Sequence, residues 1–343
     1  MKETLIQYLV CPSCAGTIRI SSVVAREQTE IIECTLNCQS CDNTWPIVRG
    51  VPRFAAINEV AQDKATTAEK FGWQWQHFTQ ADEKYEQQFL GWIAPVRPEF
   101  FKDKIVLEGG CGKGRHTQLA ARWGARDVIG IDLSGAVETA FAATRDLPNV
   151  HIVQADIYNL PFARVFDYAF SVGVLHHLPD PRGGFKSLAS KVKPGGHISA
   201  WVYGAENNEW ISRWINPLRE RLTSRMNPRT LLQLSKLPAA MMFAATKLIY
   251  GPMNRTAPRL GRHLFYNDYL KAIASFGWRE QHTIVFDHLV APTAFYISGE
   301  EFADWWREIN ASGVMIGWHN RNSWRGFGRI SSKTIDDQAD QPL

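Results

Sequence analysis

Lys104-Ile105-Val106-Leu107-Glu108-Gly109-Gly110-Cys111-Gly112-Lys113-Gly114 decides the fold. Its start is a short apolar run of the kind that fills a buried parallel strand, and a helical pattern follows the glycines as far as Arg122. Strand, glycine loop and helix in that order form the entrance to a nucleotide-type cofactor site. Glycine at 110, 112 and 114 lets the backbone turn sharply and approach a ligand where a Cβ would collide. The loop reads Glu-x-Gly-x-Gly-x-Gly, not Gly-x-Gly-x-x-Gly, and the leading acid, Glu108, would repel a pyrophosphate but suits a cofactor with a cationic end.

Downstream, the alternation repeats. Residues 128–133 form a second strand, in which Asp132 stands 22 residues beyond Gly110, where a carboxylate accepts hydrogen bonds from both hydroxyls of a ribose. Residues 150–155 form a third, ending at Asp156 and Ile157, a side-chain and backbone pair placed to address an adenine edge. The fourth, residues 166–172, opens into Gly173-Val174-Leu175-His176-His177-Leu178-Pro179-Asp180-Pro181. A helix then leads to Lys193-Pro194-Gly195-Gly196-His197, a turn that starts a fifth strand at 198–203.

As an ordered set these motifs resemble class I S-adenosylmethionine (SAM)-dependent methyltransferases, particularly those of the quinone-biosynthesis type, over about residues 103 to 204. The resemblance implies an α/β fold with a Rossmann-like sheet, mostly parallel with the last strand antiparallel, and SAM as cofactor. It assigns Glu108, Gly110, Cys111, Gly112 and Gly114 to the methionine and ribose, Asp132 and Leu133 to the ribose, Asp156 and Ile157 to the adenine, and Val172 and Leu175 to the sulfonium. Glu108 departs from the Asp more usual in the family. Methyl transfer is an in-line displacement, so the protein mainly aligns the reactants and excludes water, and a base is needed only for some acceptors. His176 and His177 are candidate bases because histidine titrates near neutrality, with cofactor-wall packing as the competing reading.

The first 55 residues form a separate unit. Cys11-Pro12-Ser13-Cys14 and Cys38-Gln39-Ser40-Cys41 are two thiol pairs at zinc-ribbon spacing, and four thiolates satisfy tetrahedral zinc in a module too short to build its own core. Structural zinc on Cys11, Cys14, Cys38 and Cys41 is the expectation, with Cys34 as a substitute for Cys38. With Trp45-Pro46-Ile47-Val48-Arg49-Gly50-Val51-Pro52-Arg53-Phe54, the segment resembles the small zinc-ribbon activators that partner methyltransferases of tRNA and translation factors, over about residues 3 to 55. That resemblance implies a supporting role without chemistry. Residues 56–100 read as a helical connector whose stripe of Phe71, Trp73, Trp75, Phe78 and Tyr85 serves core packing or, as the sharper alternative, a lid over the cofactor.

After Tyr203 the alternation stops. Residues 204–263 read as amphipathic helices forming an insertion over the acceptor, with ten Lys/Arg against three Glu in a chain whose net charge is +4. A basic, apolar lobe suggests peripheral contact with a membrane, a lipid-like acceptor carrying phosphate, or an RNA backbone, set against a simple packed cap. Residues 264–333 return to the catalytic domain: a helix capped by Asn267 and stopped by Gly277, a sixth strand at 282–289, a helix at 302–309 and a final strand near Arg329. Asp287, His288, His319, Arg321 and Asn322 are candidates for an acceptor pocket, with His319 a third candidate catalytic histidine. Residues 334–343 read as a disordered tail.

The expected activity is methyl transfer to a small-molecule or lipid-like acceptor on oxygen, nitrogen or carbon. The alternative is an RNA or translation-related protein methyltransferase that binds through ribbon and lobe; against it stands the absence of an Asn/Asp-Pro-Pro-Tyr/Phe motif after the fourth strand. A SAM-binding regulator stays open because no base is identifiable, whereas an NAD oxidoreductase has no use for Asp156. An ordinary globular composition of 45% apolar and 21% charged residues, paired thiols and no recognisable leader or spanning segment predict a cytoplasmic protein.

Overall fold

The computed structural model describes residues 1–55, 62–78 and 84–331. The tail at 334–343 and part of the connector lie outside the described residues. The chain opens with an antiparallel four-stranded sheet, β1 (Ile18–Glu27), β2 (Glu30–Cys38), β3 (Thr44–Val48) and β4 (Val51–Pro52). Two connector helices follow, α1 (Gln62–His77) and α2 (Lys84–Ile93). The β/α alternation then runs β5 (Ile105–Gly109), α3 (Arg115–Arg122), β6 (Asp127–Asp132), α4 (Ala136–Thr144), β7 (Val150–Gln154), β8 (Phe166–Val172), α5 (Pro181–Ser190) and β9 (Val192–Tyr203). A helical lobe contains α6 (Asn216–Arg221), α7 (Pro228–Leu234), α8 (Lys236–Ala245), α9 (Gly251–Thr256), α10 (Pro258–Gly261), α11 (Asn267–Ile273) and α12 (Trp278–Val290). The chain returns through α13 (Gly299–Glu308), β10 (Ala311–His319) and β11 (Ser323–Ile330).

The large sheet has the order β10-β11-β9-β8-β5-β6-β7. Five neighbouring strands are parallel, and β11 runs against both β9 and β10, the mostly parallel sheet expected. Both faces are covered, so the strands are apolar without alternation, and successive residues enter different cores. Ile105 and Leu107 pack with Phe185, Leu188, Trp305 and Trp306 under α5 and α13, whereas Val106 packs with Phe89, Ala120 and Val137 under α2, α3 and α4.

The ribbon is joined to this body by both backbone and core. Leu5, Tyr8, Leu9, Ile31 and Leu36 belong to the same apolar cluster as Ile129 and Phe162. Arg53 pairs with Gln154 as a parallel bridge and Phe54 N–H donates to Gln154 O at 2.8 Å, so the end of the ribbon lies along β7, the outermost strand.

Three expectations are corrected. Residues 282–289, read as a sixth strand, lie within α12. Their Thr-Ile-Val run favours strand locally, but the segment packs among helices of the lobe, Phe286 and Val290 clustering with Leu231 and Phe78. Asn267 does not cap; it is the buried first residue of α11, and its side chain exchanges hydrogen bonds with Asn254. Gly277 precedes α12 and does not stop a sheet-covering helix. The lobe also holds two π-helical segments, Ile211–Ile215 and Thr246–Tyr250, each two residues ahead of a proline, Pro217 and Pro252. A proline ring collides with the carbonyl four residues back, and widening the preceding turn relieves the collision.

Candidate active site

Parallel strands ending together leave a crevice where the strand order reverses, here beside β5 between β6 and β8. A cavity of about 570 Å³ occupies this place. Gly110, Cys111, Gly112, Asp132, Leu133, Asp156, Ile157 and Val172, all expected at the cofactor, line it. Gly110 has φ +79, and a Cβ there would fall 2.3 Å from Cγ2 of Val174. Gly112 has φ +51 and lies under the indole of Trp75, 3.0 Å from Nε1 to the position of a Cβ. The connector thus roofs the loop: Phe71 and Trp75 of α1 and Tyr85 of α2 line the cavity, while Trp73 packs on Phe286 and Phe78 is buried.

Asp132 Oδ2 accepts from Gly112 N at 2.8 Å, and Oδ1 accepts from Ser134 N at 2.9 Å and Ser134 Oγ at 2.7 Å. The carboxylate is thus fixed by the backbone of the glycine loop and by Ser134 at the edge of the cavity. Burial raises its pKa. Asp156 binds Lys64 Nζ at 2.9 Å and accepts from Tyr158 N at 3.0 Å.

Among the residues predicted for cofactor binding and catalysis, four do not line the cavity. Glu108 is 1% exposed, accepts from Thr117 Oγ1 and pairs with His116 Nδ1 at 3.2 Å; burial pushes its pKa up to about 8, and it holds α3 against β5 from below. Gly114 starts α3 in the left-handed conformation, close against Ala140 of α4. Leu175 is fully buried in the core against Gly184 of α5. His176 is fully buried with its ring 3.9 Å from that of Tyr203, and neither ring nitrogen has a partner.

His177 and His319 do face the cavity. His177 Nδ1 lies 2.7 Å from Thr293 O, which makes it the donor and leaves Nε2 with a lone pair. Burial pushes His177 and His288 down to about 4, and burial with the nearby Arg325 does the same to His319. All three are therefore neutral near pH 7. Asp287, His288 and Asn322 also line the cavity; Arg321 does not and is exposed. Gln74 Nε2 donates to Asp287 Oδ1 at 2.9 Å, and burial raises the pKa of that carboxyl.

The structure adds residues that the sequence reading missed. Arg115 lies between the rings of Tyr85, at 4.5 Å, and Trp75 and Trp92, each at 5.8 Å. Tyr203, Tyr266, Tyr269 and Tyr296 line the far half of the cavity, beneath the lobe. They are dispersed over nearly a hundred residues without a motif, so only their meeting in space reveals them.

Away from the cavity, the sulfurs of Cys11, Cys14, Cys38 and Cys41 lie within 4.8 Å of one another, with approaches of 3.5 to 3.7 Å. Tetrahedral zinc with bonds near 2.3 Å sets its sulfurs roughly 3.8 Å apart, so the four fit the metal. Cys34 is outside the cluster, its thiol donating to Thr35 O.

Residues 107–200 match the model of a methyltransferase domain family. The chain is similar to a protein described as a tRNA U34 carboxymethyltransferase from Tolumonas auensis, 36% identical over 28% of this chain and 31% of that protein. A tRNA U34 carboxymethyltransferase from Pseudoalteromonas translucida is 35% identical over 32% of this chain and 35% of that one. The chain thus spans about a third of the length of these curated relatives. Among solved structures, an S-adenosylmethionine-dependent methyltransferase from Mesorhizobium loti is 26% identical over 37% of this chain and 55% of that chain, with a TM-score of 0.31.

Proposed function

We propose that this chain, a SAM-dependent methyltransferase, methylates a small molecule enclosed in the tyrosine-lined half of its cavity. One observation carries the reading: a single chamber runs from the glycine loop to Tyr203, Tyr266, Tyr269 and Tyr296 under the helical lobe. An aromatic-walled space with placed polar groups, Asp287, His288 and Asn322 among them, suits a small acceptor.

Bound SAM supplies an electrophilic methyl on its sulfonium. Gly110 and Gly112 would make room for its methionine portion, Asp132 would accept from the ribose, and Asp156 with Ile157 would border the adenine. Trp75 and Arg115 close the chamber against water, which removes the competing nucleophile. The acceptor is a hydroxyl or amine that Asp287 holds and deprotonates, since a carboxyl raised by burial and steadied by Gln74 is a better base than an exposed one. His177 and His319, neutral at pH 7, serve as wall and hydrogen-bond partners; His176 has no access to the chamber. Cys11, Cys14, Cys38 and Cys41 hold a structural zinc that braces the ribbon.

The similarity to tRNA U34 carboxymethyltransferases favours a second reading, transfer to tRNA, for which the basic lobe would supply phosphate contacts. The test is incorporation of labelled methyl from SAM into low-molecular-weight extract and, separately, into bulk tRNA. Label in small molecules that falls roughly 100-fold or more in Asp287→Asn, with SAM affinity unchanged, supports the first reading. Label in tRNA alone replaces it with the second.

A further inference from the structure

The outer face of the helical lobe carries large apolar side chains that are exposed among the described residues. Trp214, Leu218 and Leu222 follow one another at four-residue spacing along the first π-helical segment and α6, and Leu234 of α7, Leu237 and Met241 of α8 and Leu248 of the second π-helical segment are three, four and seven residues apart, so each set runs as a stripe along successive helical segments. Leu237, Met241 and Leu248 are 71%, 68% and 76% exposed. Leu260 and Phe265 extend the exposed apolar surface. Scattered apolar residues on a surface are ordinary; ordered stripes of them are not.

The charge around the second stripe is of one sign, while the first carries Glu220 beside Arg221. Residues 221–263 contain eight Lys/Arg and no Asp or Glu. Arg221, Arg225, Arg229, Lys236, Arg255, Arg259 and Arg262 are exposed between the leucines. Among the described residues, no helix is long and apolar enough to cross a membrane.

We infer that the lobe docks on an anionic lipid bilayer, lying in the interface with its leucine stripes among the acyl chains and its arginines on lipid phosphates. Both halves of the surface are then used. An RNA would take the arginines but leave the aliphatic stripes in water, because bases stack on aromatic rings and not on leucine. A protein partner would need an acidic surface over the whole stretch. For an interfacial helix the two features reinforce each other, apolar burial adding to attraction by anionic headgroups.

The test is co-sedimentation of the full-length, zinc-loaded protein with vesicles of phosphatidylcholine alone or mixed with phosphatidylglycerol, at low and high salt. The expected result is binding to the anionic vesicles, weakened by salt, and weakened roughly fivefold by each of Arg221→Ala and Arg225→Ala. The double variant Leu237→Asp/Leu248→Asp is expected to lose roughly tenfold or more. Its thermal unfolding midpoint, matched to wild type, reports an intact fold, and Leu237→Ser/Leu248→Ser replaces it should the aspartates lower that midpoint. Wild-type protein that stays in solution with anionic vesicles overturns the inference. So does binding indifferent to the leucine variants, and so does retention of RNA or self-association that those variants abolish in a protein that ignores vesicles.

Discussion

Tyr8 of the ribbon donates a 2.6 Å hydrogen bond to Oδ2 of Asp127, the first residue of β6, while His151 of β7 meets the other oxygen at 3.1 Å. Burial works to raise Asp127, but the hydrogen bonds from His151 and Tyr8 outweigh it and hold the carboxyl below its ordinary value. A depressed carboxylate contributes stability above its unfolded pKa of about 3.9, and that stability is lost as pH falls through the folded value. Tyr8→Phe is expected to cost about 1–3 kcal/mol at pH 7 and markedly less at acidic pH, measured by urea unfolding. An equal loss at both would mean that the hydroxyl acts by packing alone.

Glu108 titrates in the opposite sense. With its pKa pushed up to about 8 by burial, its contribution is complete below about pH 4.3, the unfolded value, and disappears as pH rises through 8. Wild-type stability is expected to decline across this window and that of Glu108→Gln to stay nearly flat, by chemical denaturation at several pH values. Because the side chain lies beneath the cavity and not in its wall, SAM affinity by calorimetry is expected to change less than about tenfold; a larger loss would put the carboxylate on the cofactor.

Gly110→Ala is expected to destabilise by roughly 2–4 kcal/mol, from a left-handed φ of +79 and a collision with Val174. The obstacle is the two methyl groups of Val174. Gly110→Ala/Val174→Ala should therefore recover part of the stability, and no recovery would place the whole cost on the backbone.

Zinc content separates the neighbouring thiols. Cys38→Ser is expected to lower bound zinc well below one equivalent and Cys34→Ser to leave it at one, by metal analysis of the purified proteins. The reverse result would move the fourth ligand to Cys34.

Much of the molecule was legible where one physical demand dominates. Buried parallel strands must be apolar throughout, and 166–172 stands out for that reason. Two Cys-x-x-Cys pairs leave few alternatives to metal, and the structure brings Cys38 and not Cys34 into the cluster. Legibility failed where tertiary packing overrides local preference. Strand β10 is largely exposed and carries Gly313 and Gly317, so it offers no apolar pattern to read. Residues 282–289 are rich in strand formers but pack as a helix within the lobe. Glu108 shares a motif with the glycines, yet side chains alternate along a strand and burial turns it toward Thr117 and His116. The four cavity tyrosines come from β9, from α11 with its N-cap, and from the segment before α13, and had no common signal.

The bridge between Arg53 and Gln154 has a consequence for anyone dissecting the protein. Cutting the chain after the ribbon would remove the backbone bridge at Gln154 that guards the outer edge of β7, while exposing Phe162 and the apolar residues now covered by Leu5 and Leu9. The severed catalytic fragment is then a template for edge-to-edge growth, and insolubility, more than lost activity, is the phenotype to look for.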